Sequence, residues 1–126
     1  MLRTILIVGT GGFTGSVLRY LLQILVEKWQ DSTFPLGTFI ANILGSLIIG
    51  AVFALAEKGD IMSPEWRIFM TVGFCGGFTT FSAFAYNNLN MLKDNAIYYL
   101  LLNIGGSLTL GILAVYLGII LIRTIL

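Results

Sequence analysis

Histidine is absent, cysteine occurs once as Cys75, proline occurs twice, and charged side chains make up only 10% of the 126 residues. The missing histidine removes imidazole acid/base chemistry near neutral pH. A single cysteine excludes an intrachain disulfide and any Cys/His metal cluster, and leaves the redox compartment undetermined. Net charge is +1, with no basic tail or stripe to neutralise phosphates, so nucleic acid is not an expected partner. No apolar stretch holds paired carboxylates, no G-x-x-x-x-G-K-[ST] pattern occurs, and Cys75 has no base near it in sequence. The run Val8-Gly9-Thr10-Gly11-Gly12-Phe13-Thr14-Gly15 begins like a dinucleotide fingerprint, but Thr14 stands where the last glycine is required and no βαβ unit follows. Hydrolytic and phosphoryl-transfer chemistry have no residues to run on, and no enzyme is expected.

What remains is apolar. Hydrophobic residues reach 57% and glycine adds 15 more positions, well above the composition of a soluble domain. Ser32 to Ala56, Ile68 to Leu92 and Asn95 to Ile122 carry no charge at all, and each exceeds the roughly 20 residues of helix that cross a bilayer. Thr4 to Val26 is a fourth span interrupted by Arg19; its lack of a small-residue cleavage site argues against a signal peptide. The expectation is an all-α membrane protein with four transmembrane helices in one domain over residues 1–126. Its connections are Glu27 to Phe34, Glu57 to Arg67 and the Lys93-Asp94 pair, too short to fold alone. Arg3, Lys58, Arg67 and Arg123 then share one side, against Lys28 and Lys93, with Arg19 added if it reaches that surface. So weak a positive-inside bias lets the chain insert in both orientations, and two opposite copies would form an antiparallel dimer.

Polar and small residues recur at helical spacing. Gly11/Gly15, Gly73/Gly77, Ala41/Gly45, Ser46/Gly50 and Ser107/Gly111 have the small-xxx-small pattern that lets backbones approach. Thr38, Ala41, Asn42, Gly45 and Ile49 fall on one face of the second span, and Asn103, Gly106, Ser107 and Gly111 on one face of the fourth. Such stripes either tie helices together or line a polar path.

The densest feature is Gly73-Phe74-Cys75-Gly76-Gly77-Phe78-Thr79-Thr80-Phe81-Ser82-Ala83-Phe84. Two adjacent glycines and two β-branched threonines predict that the third helix breaks near its centre. Irregular backbone at membrane depth must face protein, ions or water. Freed carbonyls there can coordinate a cation, and the N-terminus of the following half-helix can attract an anion. Phe81 and Phe84, at i and i+3 beside Thr80 and Ser82, would present ring edges, the positive part of the aromatic quadrupole, next to hydroxyls. A small anion could pass them without meeting a formal charge that would hold it.

Gly11-Gly12-Phe13-Thr14-Gly15 with Arg19-Tyr20, then Gly37-Thr38 with Asn42 and Gly45, then Gly76 through Phe84, and finally Gly106-Ser107-Leu108 together resemble the Fluc (CrcB-type) fluoride ion channels of bacteria and archaea. The resemblance covers all four spans. It implies a dual-topology antiparallel homodimer in the cell (inner) membrane, conducting fluoride passively out of the cytoplasm and so lowering its toxicity. By position it makes Phe81 and Phe84 the pore phenylalanines and Asn42 a pore-lining amide, with Thr38, Ser82 and Ser107 on the polar side of the path. It implies that Arg19 lies near a vestibule. It further implies that the carbonyls of Gly76 and Thr79, from both subunits, hold a structural sodium ion at the dimer centre. The competing reading is a proton-coupled small multidrug exporter, also short and four-spanning. Such antiporters need a membrane-embedded carboxylate, whereas Glu27, Asp31, Glu57, Asp60, Glu65 and Asp94 are all expected in the connections. A third reading is a structural subunit with no transport of its own.

Overall fold

The computed structural model describes residues 1–59 and 61–126. Every regular element among them is helical, and four helical stretches are long and apolar enough to cross a membrane. Helix α1 (Leu2–Trp29) and helix α2 (Leu36–Glu57) are continuous. The third span, Pro64–Lys93, is segmented. It opens with α3 (Pro64–Ile68), passes through a π-helical stretch (Phe69–Cys75) into the short α4 (Gly76–Phe78), breaks, and resumes as α5 (Phe81–Lys93). Helix α6 (Ile97–Ile125) is the fourth span.

The ends follow from local chemistry. Ser63 caps α3 by accepting from the Trp66 N–H at 3.3 Å, with Pro64 at the first helical position where its missing N–H is harmless. Helix α5 stops in a Schellman motif: the Ala96 N–H reaches the Met91 carbonyl at 2.8 Å and the Asn95 N–H reaches Leu92 at 3.2 Å. Asn95 takes the left-handed conformation this requires, at φ 57°. The central break is narrower than the sequence expectation. Gly76 stays helical at φ −61°, and only the threonine pair is extended, Thr79 at ψ 159° and Thr80 at ψ 126°. Branching at Cβ favours that conformation, whereas glycine simply follows its neighbours.

Two helix pairs dominate the packing: α2 with α6, and α1 with the first half of the third span. Both depend on glycine. The Cα atom of Gly73 lies 3.0 Å from where a Cβ on Gly11 would stand, and a Cβ on Gly15 would run into the Phe74 carbonyl. The two small-xxx-small pairs Gly11/Gly15 and Gly73/Gly77 thus face each other. On the other side, a Cβ on Gly50 would strike the Val115 carbonyl and one on Gly118 the Leu47 carbonyl. Helix α5 is held mainly by α6, with a few contacts to α2.

The buried apolar core is small, comprising Ala41, Val52, Ala54, Cys75, Phe78, Met91 and Ala114. Large apolar side chains such as Leu6, Phe13, Leu101, Ile112 and Leu121 point outward instead. That surface suits hydrocarbon as its solvent and does not suit water. Among the described acids, Asp31 and Asp94 lie in connections, while Glu27, Glu57 and Glu65 belong to terminal turns of helices and none stands in mid-span. Asp60 lies outside the described residues. An exposed ion pair of 3.3 Å between Arg123 and Glu57 brings the ends of α6 and α2 to the same side.

These contacts predict a split between glycines. Gly15→Ala should lower the unfolding free energy in detergent by about 1–3 kcal/mol through overpacking. Gly9→Ala, whose Cβ meets nothing within 4 Å, should leave it unchanged or raise it slightly.

Candidate functional site

A helix that breaks inside a bilayer leaves backbone groups without partners, and the break at Thr79-Thr80 shows where each goes. The Thr80 N–H, which would otherwise bond to the Gly76 carbonyl, donates instead to Oδ1 of Asn42 at 2.8 Å. Nδ2 of Asn42 donates to the Thr80 carbonyl at 3.2 Å. One side-chain amide on α2 therefore serves both backbone groups of one residue, which fixes its orientation without ambiguity. The Ala83 N–H donates to Oγ1 of Thr80 at 3.3 Å, capping α5 and leaving the Thr79 carbonyl without its helical donor. The Gly77 carbonyl accepts from Nε of Arg19 on α1 at 3.1 Å. The carbonyls of Gly76 and Thr79 are thus released by the break, and both residues line an open cavity of about 410 Å³.

That cavity is walled by Asn42, Gly45, Ser46 and Ile49 of α2, by Thr71, Cys75, Gly76, Thr79 and Thr80 around the break, by Phe81 and Phe84 of α5, and by Ser107 and Leu108 of α6. It unites six residues named from sequence: Asn42, Gly76, Thr79, Phe81, Phe84 and Ser107. No ionisable carboxylate or cation is among its described lining residues. The Phe81 and Phe84 rings stand 5.9 Å apart at 45°, and Phe81 is 78% exposed, turned away from its own chain. The first turn of α5 directs its free N–H groups to the same end of the break, where they favour negative charge.

Two of the hydroxyls around the cavity, those of Ser46 and Thr79, are committed in an easily reversed way. Ser46 Oγ donates to the Asn42 carbonyl at 2.8 Å and Thr79 Oγ1 to the Cys75 carbonyl at 2.7 Å. The Cys75 carbonyl also accepts the Thr79 N–H at 2.9 Å, so the hydroxyl can swing toward a ligand without orphaning it. Ser107 Oγ donates to Oδ1 of Asn103 at 3.3 Å, and Nδ2 of Asn103 donates to Oδ1 of Asn88 at 2.8 Å. This chain of amides ties α5 to α6, with Asn103 only 1% exposed.

Three of the sequence candidates stand elsewhere. Thr38 is buried and accepts from Nε2 of Gln23 at 3.2 Å, beside a second, more polar cavity of about 520 Å³ under the α1–α2 connection. Ser82 is exposed, its Oγ 3.4 Å from that of Thr80, and does not line the break cavity. Arg19 lines neither cavity. The sequence reading missed Asn88 and Gln23. Asn88 was findable, because Phe81, Phe84 and Asn88 repeat at i, i+3 and i+7 on one helical face. Gln23 had no such signal.

The family described as CrcB-like protein, Camphor Resistance (CrcB), matches residues 6–119. Curated relatives align over nearly the whole chain. The fluoride-specific ion channel FluC of Flavobacterium psychrophilum is 42% identical, covering 97% of this chain and 98% of the relative. The one from Chlorobium chlorochromatii is 46% identical, covering 92% and 89%. The fluoride-specific ion channel FluC 1 of the archaeon Methanosarcina acetivorans is 44% identical, covering 91% and 87%.

Removing the Asn42 amide strands two backbone groups at once. Asn42→Ala should destabilise the protein in detergent by about 1–3 kcal/mol for each group left unpaired, read by thermal or denaturant unfolding.

Proposed function

The chain belongs to the CrcB-like family, whose members are ion channels and not enzymes, and we propose that it is a fluoride-selective channel that carries the ion passively out of the cell. The observation that carries this reading is the break cavity. It offers hydrogen-bond donors without formal charge: the second Nδ2 hydrogen of Asn42, the hydroxyls of Ser46, Thr79 and Ser107, the N–H groups opening α5, and the ring edges of Phe81 and Phe84. Fluoride is small and tightly hydrated, so several converging donors are needed to replace its water. A lysine or arginine in the path would bind it too long for conduction. Fluoride enters acid-exposed cells as neutral hydrogen fluoride, dissociates and is trapped; the negative-inside potential then drives it outward through a passive pore, lowering its toxicity.

The working unit in this reading is an antiparallel homodimer of two oppositely inserted copies in the cell (inner) membrane. Support comes from the weak charge bias and from an open cavity whose Phe81 wall faces outward, where another copy would complete it. Phe81, Phe84, Asn42 and Ser107 contact the anion along its path, while Thr38 and Ser82 act nearer its ends. A sodium ion at the dimer centre fits the donors present. The Gly76 and Thr79 carbonyls lack helical partners, no described carboxylate lines their cavity, and neutral oxygens alone suit a hard, singly charged cation. Two carbonyls from each copy would hold it, and it would supply fixed positive charge that joins the subunits.

Purified protein in liposomes loaded with potassium fluoride should release fluoride rapidly on adding valinomycin, and potassium chloride vesicles should release little chloride. Phe81→Ile should slow efflux roughly tenfold or more, the loss of about 1.4 kcal/mol of pathway stabilisation. Absence of fluoride efflux from a folded dimer would overturn the channel reading. Replacing sodium by N-methylglucamine should lower the melting temperature; no difference removes the sodium ion from the account.

A further inference from the structure

Arg19 lies well inside α1, yet no described carboxylate pairs with it, and the ion pair found elsewhere joins Arg123 and Glu57. A guanidinium at that depth needs compensation. It comes from backbone: Nε donates to the Gly77 carbonyl at 3.1 Å in a partly buried bond, at the C-terminal end of the helical run from Pro64 to Phe78, where unpaired carbonyls carry negative partial charge. The approach requires glycine at position 77. A Cβ on Gly77 would meet the Gly12 carbonyl at 2.5 Å and Ser16 Oγ at 3.0 Å. Gly12, Ser16 and Arg19 share one face of α1, so the face packed against Gly77 also delivers the guanidinium.

Gly77 lies between Gly76 and Thr79, which line the cavity and whose carbonyls lack helical donors. A peptide unit is planar and turns as a whole, and glycine resists that turning least. With its carbonyl free, Gly77 could rotate toward the cavity and compete as a ligand. On the other side of the break, Asn42 holds both backbone groups of Thr80. We propose that Arg19 is a positioning residue for the cation site. By occupying the Gly77 carbonyl it fixes the adjoining peptide planes, so that Gly76 and Thr79 alone present oxygens to the ion. This rests on the sodium reading above and gives Arg19 a short-range role, distinct from attracting anions at a distance.

Two replacements separate the hydrogen bond from the charge. Arg19→Lys keeps the charge and loses the Nε–H; citrulline installed at position 19 keeps the Nε–H and loses the charge. The melting temperature is followed through a sodium titration at constant ionic strength, and fluoride efflux is measured at low and high ionic strength. The sodium midpoint should rise about tenfold in Arg19→Lys, as expected for loss of a charge-assisted hydrogen bond. In the citrulline protein it should be unchanged or lower, because a neighbouring positive charge has been removed. The opposite ranking, with efflux deficits that shrink as salt rises, overturns the proposal in favour of long-range electrostatics. So does a general fall in melting temperature with both midpoints unchanged. If Arg19→Lys does not fold, the citrulline protein decides: a wild-type midpoint supports the hydrogen bond and a raised one overturns it. A wild-type protein indifferent to sodium removes the sodium reading itself. Efflux then decides the positioning role, supported by loss in Arg19→Lys with retention in the citrulline protein at both ionic strengths, and overturned by the reverse.

Discussion

A backbone N–H or C=O placed in hydrocarbon must find a partner, and in this chain the consequences converge on two residues. Thr79 and Thr80 interrupt a span that would otherwise satisfy itself, and the groups they release recruit side chains from elsewhere. Asn42 comes from α2 and Arg19 from α1, while Thr80 supplies its own hydroxyl to cap α5. The close glycine contacts of α1 with the third span serve the same end, since a bulkier interface would hold Arg19 away from Gly77. What remains unsatisfied, the carbonyls of Gly76 and Thr79, belongs to residues that line the cavity.

Both polarities meet at that interruption. The helical run ending at Phe78 presents carbonyl oxygens, and α5 beginning at Phe81 presents N–H groups. Negative and positive partial charge therefore stand within a few residues of each other, supplied by main chain alone. This fits a cavity without formally charged lining residues and, in the proposed function, is how a chain with 10% charged residues would handle ions. The Ser46 and Thr79 hydroxyls add adaptability, because their present carbonyl acceptors keep main-chain donors when the hydroxyl turns away.

Much of this was legible in the sequence. Uncharged stretches marked three of the four spans and the first was read through Arg19, and glycines four apart marked the helix pair that packs through Gly11, Gly15, Gly73 and Gly77. The glycine-threonine run announced a break, but assigning it to the threonines needed the local balance between β-branching and glycine's indifference. Long-range pairing was not legible. Nothing in the order of residues couples Arg19 to Gly77 or Asn103 to Asn88, since each bond depends on how two helices are rotated against each other. The polar stripe of α2 was read as one line, whereas Thr38 and Asn42 open on different cavities. Adjacent turns of that helix face different neighbours: Gln23 of α1 for Thr38 and the break for Asn42.

The rotation itself is set by the π-helical stretch Phe69–Cys75, in which the Gly76 N–H still reaches the Thr71 carbonyl five residues back. Such a stretch holds one residue more than an α-helix of the same length, so everything after it is turned by about 100° relative to a plain continuation. Gly73 and Gly77 lie against α1 while Cys75 and Thr79, two residues on and about 200° round the helix, look toward α2, and the extra residue sets the phase of Gly77 and Thr79 relative to α3. Losing a single residue between Phe69 and Cys75 would make a better helix and a worse protein. The hydrogen bonding would become regular, and the break would be aimed at the wrong neighbours. The stretch acts as a phase adjuster, exchanging local regularity for the alignment of α3 with the helical faces that follow it.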